Sequence, residues 1–95
     1  MVVSMRLVGY LALQAGEKPG EQLRFELPEG ATLAELFDRF DGQVGQKMPG
    51  NIWDPSKKRF HPSVMIMVDN QVTKDGTVRL REGSSVMAML PMAGG

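Results

Sequence analysis

Residues 32–40 read TLAELFDRF, and this segment carries the clearest helix signal of the chain. Thr32 and Glu35 match a capping box, in which the two side chains accept hydrogen bonds from free backbone N–H groups at a helix N-terminus. Apolar residues follow at the helical spacing i, i+3, i+4 and i+7, at Leu33, Leu36, Phe37 and Phe40. The pattern predicts one main helix with a single apolar stripe, ended by Gly42 and Gly45.

Two strands are predicted before this helix. Residues 2–8 are mostly apolar or β-branched, and Leu23, Phe25 and Leu27 alternate with polar residues at the strand period. The turn-forming residues 16–20 lie between the two strands. We therefore expect an antiparallel pair joined by a long loop.

The second half of the sequence returns to strands after a broken segment. Residues 47–62 contain Pro49, Gly50, Pro55 and Pro62, so we interpret this segment as an inserted loop or irregular hairpin. Further strands are predicted at residues 64–68, 78–80 and 86–90, and Pro91 stops the last one. The order of elements predicts an α+β fold in which one main helix lies across a mixed sheet.

The composition favours one small domain. The chain has 95 residues, of which 42% are hydrophobic, enough for one modest core. We expect a domain at residues 1–91, with the inserted segment at about 47–62, and a flexible tail at residues 92–95.

The 11 basic and 11 acidic residues cancel, which argues against binding to nucleic acid or to an anionic membrane. No apolar run approaches the roughly 20 residues that span a bilayer, so we expect a cytoplasmic protein.

Cysteine is absent, and His61 is the single histidine. The lack of cysteine excludes disulfides and thiol nucleophiles, and one histidine cannot supply a metal cluster. No nucleophile and base stand out together, so the sequence does not predict an independent enzyme. Any sulfur that this protein handles must be carried by a group other than a cysteine side chain.

The final residues are Leu90-Pro91-Met92-Ala93-Gly94-Gly95. At an average glycine frequency of about 7%, two final glycines arise by chance in about one chain in two hundred. Glycine has no side chain, so Gly94 and Gly95 can pass through a narrow channel in a partner. Four residues beyond Pro91 reach about 13 Å when extended, which lets a tail enter an active site while the folded body stays outside.

Two further segments of the last third are distinctive, namely Val68-Asp69-Asn70 and Leu80-Arg81-Glu82-Gly83-Ser84-Ser85-Val86. Together with the final six residues, they resemble the MoaD/ThiS family of sulfur carriers, which implies a ubiquitin-like β-grasp fold. Two features depart from the family pattern. Ser84 and Ser85 stand where the family usually has acidic residues, and the 47–62 segment matches only its longer members.

The resemblance implies a chemical role for the carboxylate of Gly95. An adenylating enzyme of the MoeB/ThiF type would activate this group with ATP, and a sulfur donor would convert it to a thiocarboxylate. Gly94 and Ala93 would thread into the partner, and the sulfur would pass to an acceptor such as a molybdopterin synthase large subunit. By resemblance, the chain is a protein cosubstrate, or the small subunit of a sulfurtransferase complex, that binds no cofactor or metal itself.

Two predicted strands carry methionines at alternate positions. The β-branched set fits best under the single helix: Val64, Ile66, Val68 and Val86. The methionines would then face outward as a docking surface: Met65, Met67, Met87 and Met89. Arg6, Val8 and Tyr10 on the first strand would border this surface. The alternative is that the inserted segment covers the methionines, or that they extend the core.

The inserted segment holds three other candidates. We interpret Trp53 as an indole folded over the core, the alternative being an anchor for a partner. The run Lys57-Lys58-Arg59 is interpreted as a solvated turn, since so short a cluster steers little at physiological salt. His61, among prolines, is interpreted as an ordinary loop residue.

Several functions stay open at this point. Molybdopterin synthesis is preferred for the sulfur carrier, because the length and the inserted segment look more MoaD-like than ThiS-like. Thiazole synthesis for thiamine is the nearest alternative pathway. A ubiquitin-like modifier, joined through Gly95 to lysine amines of target proteins, would use the same activated glycine. An interaction module with an inert tail is the third class.

Overall fold

The structure is a computed structural model that describes residues 1–16 and 22–90 of the chain. Within these residues the strands are β1 (Val2–Leu7), β2 (Gln22–Glu26), β3 (Trp53–Asp54), β4 (Arg59–Phe60), β5 (Met65–Val68), β6 (Gln71–Val72) and β7 (Ser85–Met89). The helices are α1 (Tyr10–Gln14) and α2 (Leu33–Gln43), and a 3-10 turn follows at Gly45–Lys47. None of the described helices has the length and hydropathy that a membrane crossing requires.

Five strands form one mixed sheet in the order β2-β1-β7-β5-β6. The neighbours β1 and β7 are parallel, with Met5 beside Val86, whereas the other neighbouring pairs are antiparallel. Buried side chains alternate along β1, β5 and β7, so one face of the sheet lies in the core with the main helix α2. The predicted ubiquitin-like α+β fold, with one main helix on a mixed sheet, is confirmed.

The main helix begins where the capping box predicts. The N–H of Glu35 donates to Oγ1 of Thr32 at 3.4 Å. The apolar stripe is buried at each of its four positions: Leu33, Leu36, Phe37 and Phe40. The helix continues through Gly42 to Gln43, so Gly42 does not end it, and Gly45 starts the 3-10 turn.

The connection between β1 and β2 holds a short helix that the sequence pattern does not predict. The first strand ends at Leu7, and Gly9, at φ 56°, turns the chain into α1. Glycine adopts this left-handed conformation without the strain that a Cβ atom would add. Leu11 and Ala12 of α1 are fully buried. A helix of five residues is unstable alone, so its burial against the core, a tertiary effect, explains why it forms.

Residues 78–80 do not form a strand of the sheet, contrary to the prediction. Arg79 makes one isolated bridge with Thr32. The N–H of Leu33 donates to the carbonyl of Val78 at 2.9 Å, and the N–H of Leu80 donates to the carbonyl of Ala31 at 2.8 Å. This segment therefore pairs with the chain that enters α2, and the short strand at the edge of the sheet is β6.

The inserted segment forms an irregular hairpin, one of the two predicted alternatives. Strands β3 and β4 pair antiparallel, with Trp53 opposite Phe60. The Trp53 ring lies 4.9 Å from the rings of both Phe40 and Phe60, measured between centroids. Nε1 of Trp53 donates to Oδ1 of Asp41 at 2.8 Å. Trp53 is 1% exposed, so the prediction that it belongs to the core is confirmed and the partner-anchor alternative is wrong.

Candidate functional site

The methionine face is the outer side of β5 and β7, opposite α2. The β-branched residues of these segments, Val64, Ile66, Val68 and Val86, are buried in the core as predicted. The four methionines point to the other side and are half-buried: Met65, Met67, Met87 and Met89. The predicted orientation of the two sets is therefore confirmed. Binding of a partner to this face stays a prediction.

Strand register gathers the methionines into two neighbouring rows. In the first row Met87 lies between Arg6 of β1 and Met67 of β5, and Val72 of β6 follows Met67. In the second row Met89 lies beside Met65. Val72 is 62% exposed, which extends the apolar surface to the sheet edge. The rows form one continuous patch of flexible, polarisable side chains.

A cationic side chain lies at one end of the first row. Nε of Arg6 is buried, yet it has no hydrogen-bond partner among residues 1–16 and 22–90. A buried N–H donor without an acceptor costs about 1–3 kcal/mol. Arg6 as a residue is only half-buried, so a cationic group borders the methionine face beside Met87. The sequence places Arg6 next to this face, but only the structure reveals its unmet donor.

Of the two other predicted border residues, Val8 stays beside the sheet, whereas Tyr10 does not lie on the first strand. Val8 follows the end of β1, and its N–H donates to the carbonyl of Ala88 at 3.0 Å, which holds it beside β7. Tyr10 is not on the first strand, because the chain turns at Gly9 and Tyr10 opens α1. Its side chain is 58% exposed.

The inserted hairpin lies on the α2 side of the sheet, so the alternative that it covers the methionines is wrong. Phe60 of β4 packs on Phe37 of α2 with ring centroids 5.6 Å apart. Residues of the hairpin and of α2 line one groove together with Val64 and Ile66, which face the core. Since neighbouring residues of a strand point to opposite faces, Met65 and Met67 lie on the other side.

The predicted reactive tail adjoins the methionine face along the chain. Leu90 is the last described residue and directly follows Met89. The predicted site residues Ala93, Gly94 and Gly95 lie outside the described residues. The chemistry assigned to the Gly95 carboxylate therefore stays a prediction, as does the flexibility of the tail.

The serines that depart from the family pattern form a hydrogen-bonded turn. Oγ of Ser84 donates to Oδ2 of Asp69 at 3.1 Å, and the N–H of Ser85 donates to Oδ1 of Asp69 at 2.9 Å. The N–H of Arg81 donates to Oγ of Ser84 at 2.9 Å. A carboxylate in place of Ser84 would face the carboxylate of Asp69, so serine suits this turn. The departure from the family pattern therefore lies in a hydrogen-bonded turn.

The other polar candidates of the inserted hairpin are exposed. Lys57 and Lys58 lie in the turn between β3 and β4, and Arg59 opens β4; all three are exposed, as the solvated-turn interpretation predicts. Nδ1 of His61 lies 2.9 Å from Oγ of Ser63, a local loop contact. In the described ranges, no group of three or more His, Asp or Glu side chains is arranged to hold a metal ion.

Comparison with known proteins gives one family match and several similar folds. The model of the ThiS family matches residues 8–95. Similar solved structures include small archaeal modifier protein 1 of Haloferax volcanii, with a TM-score of 0.75, 13% identity, and coverage of 96% of this chain and 98% of that chain. Urm1 of Trypanosoma brucei has a TM-score of 0.72 and 19% identity, with coverage of 99% of this chain and 95% of that chain.

A third similar structure is a complex of subunits 1 and 2 of the molybdopterin-converting factor from Helicobacter pylori. The matched chain has a TM-score of 0.62 and 17% identity, and both chains are covered completely. A search of the curated proteins found no match. At these identities the solved structures show the fold, and the family model shows the family.

Proposed function

The chain belongs to the ThiS family of ubiquitin-like sulfur carriers, and we propose that its Gly95 carboxylate is the group that carries the sulfur. The single observation that carries this proposal is the extent of the family match, which runs to Gly95 and so includes the final glycine pair. The absence of cysteine agrees with it, because a carboxylate is then the natural attachment point for sulfur.

The proposed reaction has two steps. An oxygen of the Gly95 carboxylate attacks the α-phosphorus of ATP in the activating partner, and pyrophosphate leaves. A sulfur donor at the oxidation level of hydrosulfide then attacks the carbonyl carbon, AMP leaves, and a thiocarboxylate results. The activating partner and the donor supply the catalytic groups. This chain supplies the acyl group and the narrow Gly94-Gly95 end that reaches the reacting centre.

The methionine face is the proposed docking surface for the sulfur acceptor. The relative from Helicobacter pylori is described as subunit 1 in complex with subunit 2 of the molybdopterin-converting factor. We extend this arrangement to the present chain, with a molybdopterin synthase large subunit as acceptor. The apolar rows would contact an apolar patch of that subunit, and the guanidinium group of half-buried Arg6 would donate to an acceptor at the rim of that patch.

A second candidate function is protein modification. The similar structure from Haloferax volcanii is named a small archaeal modifier protein. The same Gly95 adenylate would then react with a lysine amine, and AMP would leave as an isopeptide bond forms. The two functions share activation and differ in the nucleophile.

Activation of Gly95 can be tested by intact mass spectrometry. Incubation with an activating enzyme of the MoeB/ThiF type, ATP and a sulfur donor should raise the mass by the difference between sulfur and oxygen. The chain without Gly95 is the matched control, and it should not be converted. Its melting temperature should match that of the full chain, because the last few residues of a domain usually contribute little to its stability.

Two results would contradict the sulfur-carrier proposal. An unchanged mass with several competent activating enzymes would indicate an inert tail. Adducts at lysine amines of other proteins, formed without a free thiocarboxylate, would favour the modifier.

A further inference from the structure

A groove lies between α2, the inserted hairpin and β5, on the opposite side of the sheet from the methionine face. Its volume is about 170 Å³. We call it the hairpin groove. Its floor is formed by Phe37, Phe60 and Ile66, and its rim carries Lys57, Arg59 and Lys74. None of these residues has a role in the proposed sulfur chemistry.

The floor of the hairpin groove is apolar and preformed. Phe37, Phe60 and Ile66 come from three different elements, and all three are buried. The rings of Phe37 and Phe60 meet edge to face, with an interplanar angle of 81°. Because these side chains are fixed by the core, the groove can receive an apolar group without reorganising the fold.

The rim of the groove is predominantly cationic. Lys57, Lys58 and Arg59 project from the hairpin turn on one side. Lys74 lies on another side, where its Nζ donates to the carbonyl of Pro62 at 2.8 Å, and this contact keeps the ammonium group at the rim. Asp38 is the one carboxylate of the lining. The whole chain is neutral, so this concentration of positive charge is a local feature.

The size of the groove decides which class of ligand fits. Sites for small molecules and cofactors usually enclose about 300–1,000 Å³. A volume of about 170 Å³ is smaller and suits a single large side chain. A cationic rim around an apolar pocket complements an anchor that is flanked by negative charges.

We propose that the hairpin groove binds a peptide segment of a partner protein in which one aromatic or large aliphatic side chain is flanked by acidic residues. The anchor occupies the floor at Phe37 and Phe60, and the acidic residues face Lys57, Arg59 and Lys74. Ile66 lines this groove while Met65 and Met67 lie on the other side of the same strand. The chain can therefore hold this partner and a sulfur acceptor at the same time.

The proposal can be tested with a fluorescein-labelled peptide of sequence Asp-Asp-Glu-Phe-Glu-Asp-Asp and the full chain. Fluorescence polarisation should show saturable binding that weakens as salt is raised, because the rim charges are exposed and screened. Amide resonances of Ala34, Lys57, Phe60 and Gly76 should shift in ¹⁵N-resolved NMR spectra during the titration. The side-chain methyl resonances of Met65, Met67 and Met87, followed in ¹³C-resolved spectra, should stay in place.

Two peptide controls separate the anchor from the charges. Replacing the phenylalanine by glycine should weaken binding by at least about ten-fold, because the floor then stays empty. Replacing the acidic residues by lysines should abolish binding through repulsion at the rim. If the glycine peptide bound as tightly as the original peptide, the proposed role of the anchor side chain would be wrong. If the lysine peptide bound as tightly, the proposed role of the cationic rim would be wrong.

Two protein variants locate the site. Ala34 is exposed on α2 and lines the groove, so Ala34→Trp fills the pocket and should weaken binding by at least about ten-fold. Lys57→Glu reverses one rim charge and should weaken binding by about five-fold. Lys47→Glu is the matched control, because Lys47 is exposed in the 3-10 turn and does not line the groove.

Folding of each variant is verified by the dispersion of its NMR spectrum, and Lys57→Glu provides the test if Ala34→Trp does not fold. Equal weakening by Lys47→Glu would overturn the proposed site, because only general charge attraction would then be at work. Shifts on the methionine face in place of the groove would also overturn it. A further contrary result is that resonances of the groove broaden as the protein concentration is raised in the absence of peptide. That result would overturn the proposal and show that the groove binds a second copy of this chain.

Discussion

One hydrogen bond joins the inserted hairpin to the main helix. Nε1 of Trp53 donates to Oδ1 of Asp41 at 2.8 Å, and both residues are buried. The indole also lies against Gly45, where an added Cβ atom would come within 2.5 Å of Nε1. The hairpin thus rests on a contact that needs an acceptor oxygen at residue 41 and no side chain at residue 45.

Removal of the acceptor should destabilise the fold measurably. In Asp41→Ala the indole N–H stays buried without a partner, which should cost about 1–3 kcal/mol of unfolding free energy. Asp41→Asn keeps an acceptor oxygen and should lose less unfolding free energy than Asp41→Ala. Urea unfolding followed by circular dichroism measures the loss. Asp38→Ala, at an exposed position of the same helix, should change stability by less than about 0.5 kcal/mol, and an equally small effect of Asp41→Ala would contradict the argument.

The turn between β6 and the segment that pairs with α2 is organised by Asp75. Its Oδ1 accepts from the hydroxyl of Thr77 at 2.6 Å and from the N–H of Thr77 at 2.9 Å. The Thr77 hydroxyl is the main cause of the lowered pKa of the Asp75 carboxyl, and the Thr77 N–H adds to it. The turn therefore favours the ionised side chain.

This turn should contribute stability that depends on pH in a defined direction. The pKa of folded Asp75 lies below its ordinary value of 3.8, so the stabilisation is complete above that value. It is lost as the pH falls through the lowered pKa of the folded state. An NMR titration of the Asp75 carboxyl carbon should give a midpoint below 3.8, and Thr77→Val should raise it. Ser56→Ala is the control. Ser56 is the main cause of the lowered pKa of Asp54, so this change should raise the pKa of Asp54 and leave that of Asp75 unchanged. An unchanged Asp75 midpoint in Thr77→Val would contradict this account.

The whole molecule presents two separate surfaces on opposite sides of one sheet. The methionine face lies outside β5 and β7, next to the point where the described chain ends at Leu90. The hairpin groove lies on the α2 side and is lined by Ile66 of the same strand. Alternation along a strand separates the two surfaces, so a substitution at one should leave the other intact.

Charge on the methionine face should block docking without unfolding the domain. Met87→Glu adds a carboxylate at a half-buried position beside Arg6, and binding to the sulfur acceptor should fall by at least about ten-fold while the melting temperature changes little. Ile66→Glu places the same group in the core, which should cost several kcal/mol of the roughly 5–15 kcal/mol that hold such a domain folded. Gln43→Glu adds a charge at an exposed position of α2 and is the matched control. A folded Met87→Glu protein that binds the acceptor normally would exclude this docking surface.

Local patterns in the sequence determined the main helix, the alternation of the strands and the outward direction of the methionines. Each of these depends on neighbours within a few residues, such as the Thr32–Glu35 cap or the period of two along β5 and β7. The likeness to sulfur carriers also came from short segments in the last third of the sequence, and the family match bears it out. The role of Gly95 stays a prediction from that likeness.

Only the tertiary structure decided where distant segments meet. Burial of Leu11 and Ala12 stabilises α1, and residues 78–80 pair with the entry to α2 and not with the sheet. The hairpin groove likewise arises from side chains far apart in sequence, as does the burial of Arg6 Nε without a partner among the described residues. No local pattern encodes such contacts, because the free energy that selects them comes from burial and hydrogen bonding between elements that the folded chain brings together.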